Sequence, residues 1–328
     1  HTRSYSVTGV QTCALPILDK VFPDIPVALF SKDYHSKLCN SLALRIAGID
    51  ESTQTPNGGL IERDENGYPT GILFETATEL IDRHIVQASD YVTEKAIQLT
   101  IDDFYQYGLV AFHTMEDERA CRLLLRLQEK GSKFRFCWHF QVHELDKMID
   151  SHEVSYGNNE WFKIGGVKLF GDGSLGSRTA AMFNPYSNEP ENYGILRYSN
   201  DEILALIKKA DRAGLSSTIH AIGDKCVHQV ASTILKLKPS EVTSPMHRIE
   251  HVQSIRPQDI EIVKKAKLLV SLQPVHLAND IPMIEMYWSD IKEEAYAYNS
   301  LIESGIPYAF GSDAPIESFN PFWGIYTA

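Results

Sequence analysis

From about residue 108 onward, short runs rich in β-branched and aromatic residues alternate with longer charged stretches whose apolar positions recur at helical spacing. That alternation predicts βα units and a parallel sheet. The candidate strands are GLVAFHT (108–114), FRFCWHF (134–140), GGVKLF (165–170), LSSTIHA (215–221), MHRIEH (246–251), KLLVSLQ (267–273) and PYAFGS (307–312). Between them lie amphipathic segments such as DEILALIKKADRAG, where Ile203, Leu204, Ile207 and Ala210 share one face and Gly214 supplies the stop. Strand starts mostly 20 to 50 residues apart suit an α/β fold of the (β/α)8 TIM-barrel type at ~30 residues per unit, with one strand missing.

The preceding residues read differently. Residues 18–107 contain the turn signals PNGG and ENGYPTG, then a helical stretch from about Thr76 to Tyr107, and are expected to form a loop-rich inserted cap rather than a barrel unit. The opening HTRSYSVTGVQTCALPI has no helical or strand period, and its run GVQTCALPI resembles the translation of a sequencing-adapter oligonucleotide. Residues 1–17 are therefore expected to be a foreign leader. At the other end, NPFWGIYTA begins a helix and stops, which suggests a C-terminally truncated barrel domain over 108–328.

Composition narrows the partners. The 328 residues are 43% hydrophobic, enough for a sizeable core, and carry a net charge of −12 without clustered Lys and Arg. That balance disfavours a phosphate-backbone partner, so no nucleic acid is expected. The 5 cysteines show no C-x-x-C pair, which suggests neither a structural zinc site nor a disulfide framework and fits a reducing, cytoplasmic setting. No stretch approaches the ~20 apolar residues that cross a bilayer.

Candidate chemistry sits at the strand ends, where functional groups converge in a parallel barrel. His220 closes LSSTIHA, and His251 closes the next strand in RIEH. Adjacent strands lie ~4.8 Å apart, so the two imidazoles can share one metal ion. A lone strand-end histidine is more often a hydrogen-bonded structural residue, and the pairing is what favours ligation. Asp313 follows AFGS and precedes Ala314-Pro315, a setting equally suited to an Asx turn or helix cap. Lys168 lies inside GGVKLF, where burial favours the neutral amine. That amine can take up carbon dioxide to give a carbamate, or Lys168 can form an ion pair with Asp172 or Glu75. No His-x-His occurs anywhere in the chain.

Taken with PVALFSKDYHSKLCNSLAL, GYPTGILFETA, KLFGDGSLGSRTAAM, TIHAIGD, HRIEHVQ, QPVHLAND and FGSDAP in that order, the chain resembles the amidohydrolase superfamily. The likeness is to its amidohydrolase-3 branch, which includes N-substituted formamide deformylase-like metal-dependent hydrolases, and runs from about residue 24 to 328. The resemblance implies that Lys168 is a carboxylated bridging ligand, that His220 and His251 bind a second metal, and that Asp313 is a ligand that also moves protons. It sets His35, Asn40, Glu75, Asp172 and Arg178 near the substrate. Family members also carry a His-x-His on the first barrel strand and a strand-rich C-terminal tail, neither of which this chain has. The implied activity is hydrolysis of a non-peptide carbon–nitrogen bond in a small amide by metal-activated water, with zinc the expected ion. One or two ions are implied for the family and at most one for this chain, and a homo-oligomer is compatible with it. Three alternatives stand beside this one: a catalytically impaired fragment, a barrel binding module, and a Schiff-base lyase using Lys168.

Overall fold

The computed structural model describes residues 11–151, 159–237 and 246–328. They form two compact units, one comprising the chain up to Val86 together with Gly176–Thr179, the other Gln87–Leu175 and Ala180–Ala328.

The first unit is built on a four-stranded antiparallel sheet, β1 (Ala28–Phe30), β2 (Ser36–Cys39), β3 (Gly59–Arg63) and β4 (Pro69–Glu75), in the order β1-β2-β4-β3. Helices α1 (Gln11–Val21) and α2 (Ser41–Ile46) belong to the same unit, as does the single turn α3 (Glu79–Asp82). The expected loop-rich cap is thus a sheet in its first half. ENGYPTG is the β3–β4 hairpin: Asp64 Oδ1 accepts from the backbone N–H of Asn66 and Tyr68, both at 2.9 Å, and Gly67 takes the left-handed turn position at φ +87°. Of the expected leader, residues 1–10 lie outside the described residues, and from Gln11 the chain is helical. Leu15 packs against the core around Leu73 and Cys39. Asp19 accepts from the Ser41 backbone N–H at 2.8 Å and from its hydroxyl at 2.6 Å.

The second unit carries a curled, wholly parallel sheet of seven strands among the described residues. These are β5 (Ala111–Thr114), β6 (Arg135–Gln141), β7 (Phe162–Phe170), β8 (Ser216–Ala221), β9 (Arg248–His251), β10 (Leu269–Leu272) and β11 (Tyr308–Phe310), paired in sequence order. Each overlaps the run expected from the sequence. Helix α4 (Asp90–Gln106) precedes β5, and α5 (Glu118–Glu129), α6 (Leu145–Asp150), α7 (Asn200–Arg212), α8 (Asp224–Ile234) and α9 (Pro257–Lys265) each link successive strands. Helices α10 (Leu277–Tyr287) and α11 (Tyr298–Glu303) join β10 to β11, and α12 (Pro321–Thr327) follows. The units divide at Val86 rather than at 107, because α4 pairs with α5: Arg119 Nε lies 2.8 Å from Asp90 Oδ1, and Ile101 is buried in the second core.

Strand period explains the chemistry of the sheet's two faces. Val167, Leu169, Ile219, Ile249 and Val270 are fully buried in a core shared with Ile203 and Ile207 of α7, Val230 of α8 and Val263 of α9. Removing a large side chain from such a position costs about 2–5 kcal/mol. The alternate residues, Lys168, Thr218, His220, Arg248 and Glu250, are set on the opposite face. No described helix is long and apolar enough to cross a membrane.

Candidate metal centre

At the C-terminal ends of β8 to β11 the polar face gathers three imidazoles and a carboxylate. His220 is the penultimate residue of β8. Its Nε2 lies 3.0 Å from the carbonyl oxygen of Gly173, which can only accept, so Nε2 carries the proton and Nδ1 keeps its lone pair. His251 ends β9 opposite Ala221, its ring centroid 4.5 Å from that of His220. It is buried, and among the described residues its Nδ1 has no hydrogen-bond partner. Burial pushes its pKa down to about 4, despite the nearby Asp313 carboxylate, so the imidazole is neutral at physiological pH.

His276 closes the turn Pro274–His276 after β10, and its Nε2 lies 3.3 Å from Oδ2 of Asp313, just beyond β11. Burial raises the Asp313 pKa, but the bond to His276 and the neighbouring His251 and Lys168 outweigh it and hold the carboxyl below its ordinary range. Ligand atoms of His251, His276 and Asp313 all lie within 4.8 Å of one another. A tetrahedral ion with bonds of ~2.0–2.1 Å spaces its ligands at roughly 3.3 Å, close to the observed His276–Asp313 separation. A buried nitrogen without a partner beside this donor set fits a divalent ion.

Lys168 is buried in β7 opposite Thr218, with Nζ 4.6 Å from the centroid of the Phe170 ring. Burial lowers its pKa, opposed by the Glu250 and Asp313 carboxylates and reinforced by Arg248 and Arg197. It makes no ion pair with Asp172. That carboxylate is fully buried and accepts from the backbone N–H groups of Ile222 (3.0 Å), Gly223 (2.8 Å) and Ala181 (2.9 Å). Asp172 therefore ties the loops after β7 and β8 together, with His220 Nε2 at 3.7 Å.

The other expected substrate residues belong to the first unit. Asn40 caps α2 through Oδ1, which accepts from Ala43 and from Val27, while its amide donates to the carbonyls of Phe22 and Ile25. Its side chain is consumed in local structure. Glu75 is buried, 3.0 Å from His35 Nδ1 and 2.7 Å from the Thr179 hydroxyl that donates to it. Arg178 neighbours Thr179 in the segment Gly176–Thr179. Glu75, Arg178, His251 and Asp313 all adopt positive φ, at 50°, 57°, 79° and 55°. Such strain in residues other than glycine costs about 1–3 kcal/mol each and clusters at functional sites.

The expected ligands divide accordingly. His251 and Asp313 meet in one donor group and His220 packs against it, while Lys168 acts on it through charge. His276 is the member that the reading of the sequence did not single out. Its only signal was its place in QPVHLAND, directly after a strand.

The sequence matches the family model described as Amidohydrolase family over residues 7–328. It is 34% identical over 319 residues to the putative amidohydrolase YtcJ of Bacillus subtilis, covering 95% of this chain and 59% of that protein. It is 23% identical over 335 residues to the N-substituted formamide deformylase of Arthrobacter pascens, covering 95% and 60%. Among solved structures it resembles an uncharacterized metal-dependent hydrolase from Pyrococcus horikoshii, with a TM-score of 0.74 and 26% identity over 96% of this chain and 62% of that one. A counterpart from Pyrococcus furiosus gives 0.72 and 27% over 96% and 64%. The chain thus spans about three-fifths of the length of these relatives.

Proposed function

The chain belongs to the amidohydrolase family, and on that premise we propose that it forms strands two to eight of a (β/α)8 barrel whose strand ends hold a divalent metal for hydrolysis of a small amide. The observation that carries this reading is the convergence of His251, His276 and Asp313 around a buried imidazole nitrogen that lacks a partner. His251, His276 and Asp313 would hold the ion, His220 would contribute Nδ1, and Lys168 would join them as a carbamate. Bound there, a divalent ion, zinc being the first to test, supplies Lewis acidity toward a carbonyl and lowers the pKa of water toward ~7.

The side chains of the chain do the rest. Gly173 holds His220 in one tautomer, and Asp172 fixes the loops from which that carbonyl projects. Asp313, its carboxylate 3.3 Å from His276 Nε2, takes a proton from water at a carboxylate oxygen and returns it to the departing nitrogen, base and then acid. One relative is named an N-substituted formamide deformylase, so N-formyl and N-acyl amines are the first substrates to try. The test is amine release by the purified chain with zinc added and with chelator. Metal-dependent release supports the reading, and release that survives exhaustive chelation overturns it. A variant extended at its N-terminus by a strand bearing a His-x-His pair, which the given sequence does not contain, should show a higher metal content and rate.

A second reading rests on Lys168 itself. A buried lysine with a lowered pKa is also a Schiff-base nucleophile. Borohydride trapping of a carbonyl compound on Lys168 would favour that lyase over the hydrolase.

A further inference from the structure

A second donor group lies on the same sheet face and shares no residue with the centre proposed above. His113 of β5 and Cys137 of β6 are direct partners in the parallel register, and His139 follows Cys137 by two residues on the same face. His113 Nδ1 is 2.9 Å from His139 Nε2, Cys137 Sγ is 3.8 Å from that same nitrogen, and the three ligand atoms lie within 4.8 Å of one another. We propose that His113, Cys137 and His139 form a second metal site, for a borderline-soft divalent ion of the zinc type.

The surroundings are built around these three side chains. Bonds of ~2.0–2.1 Å to nitrogen and ~2.3 Å to sulfur give ligand spacings of roughly 3.3–3.6 Å, between the two separations observed. His139 is buried, and its Nδ1 lies 2.9 Å from the Thr218 hydroxyl, an outer partner that fixes the ring and aims Nε2 at the other two donors. The pairing of β6 with β7 slips between Trp138 and His139, so that Gly165 is the extra residue of a bulge beside the group. A Cβ at Gly165 would lie 2.4 Å from His139 Cε1 and 2.5 Å from Cys137 Sγ. Its φ is not in the left-handed range, so the crowding around the donor group, rather than a backbone need, is what calls for glycine at this position.

The chemistry of the set selects the ion. Two imidazoles and a thiol match zinc, cobalt or nickel, and a sulfur ligand disfavours magnesium and calcium. Arg248 Nη1 stands 3.2 Å from His113 Nδ1, and its Nε donates to Glu250 at 2.5 Å. Binding requires the guanidinium to withdraw onto Glu250 and the Cys137 thiol to release its proton to solvent. A thiolate and two neutral imidazoles leave one position of a tetrahedral ion for water.

Cobalt(II) titration of the reduced chain tests the site separately from the proposed hydrolytic centre, which has no sulfur donor. The wild type should show a sulfur-to-cobalt charge-transfer band, and zinc should slow alkylation of Cys137 about tenfold or more. Cys137→Ser should abolish that band and keep the ligand-field absorption of the other centre. His113→Gln, on the half-exposed β5, should weaken the band without touching the thiol. Absence of the band from folded wild type at saturating cobalt would mean that these atoms form only a Thr218–His139–His113 hydrogen-bonded chain. Persistence of the band in Cys137→Ser would assign it to another cysteine, and either result overturns the site. Failure of amide hydrolysis leaves this outcome unaffected.

Discussion

His251 should make the second unit sensitive to acid. In the native state its imidazole resists protonation down to a pKa of about 4, against an ordinary value of 6.5. Between those values the unfolded chain binds the proton and the native chain does not. Stability therefore rises with pH through this window, is present in full above pH 6.5, and is lost as pH falls toward 4. At ~1.4 kcal/mol per pH unit the group contributes about 3 kcal/mol across the window. Its burial, at 5% exposure, means that solvent screening removes little of this. All four tryptophans, Trp138, Trp161, Trp288 and Trp323, belong to the second unit, so their fluorescence follows its unfolding alone. Urea unfolding should be measured from pH 4 to 7.5 in chelator, on wild type and on His251→Gln. His113, His139 and His247 are also held below their ordinary values, and they leave the variant with a residual slope of the same sign. The variant should lose about 3 kcal/mol less than wild type between pH 7 and 4. Parallel curves would refute the claim that His251 is buried and neutral, and with it the partnerless nitrogen on which the metal centre rests.

Two further substitutions probe the frame around that centre. Gly223→Ala places a Cβ 2.1 Å from the carbonyl oxygen of Ala181, a backbone atom that cannot turn aside; a loss of about 3 kcal/mol is expected by chemical denaturation, and an unchanged urea midpoint would contradict the packing of these loops. Asp172→Asn keeps the shape but turns an acceptor of backbone N–H groups into a donor facing one of them. It should cost about 2–3 kcal/mol, and a variant with native stability and impaired turnover would return Asp172 to a role at the substrate.

The second unit was legible because a parallel sheet buried on its helix-packed face writes itself as compact apolar runs separated by amphipathic helices. GGVKLF, LSSTIHA and MHRIEH each overlap an observed strand, and Lys168 and His220 stand out because period two sets them opposite the core, whereas His251, in register with the core residue Ala221, departs from that period at the strand end with a φ of 79°. The first unit was not legible, since its sheet is antiparallel and joins β2 to β4, with Ser36 opposite Phe74, across a segment in which turn signals are the dominant local pattern. For the same reason Asn40 and Asp172 look functional in the chain, yet in the fold they spend their polar atoms on backbone groups of neighbouring loops. Such satisfaction is a property of three-dimensional contacts and has no period. His276 is the converse. It stands in a short helical turn after β10, where one more buried histidine carries no signal until Asp313, from beyond the next strand, comes within 3.3 Å of it. His113, Cys137 and His139 were hidden differently, because Cys-x-His within an aromatic strand reads as core, and only the register with β5 and the bulge at Gly165 turn three scattered donors into a group.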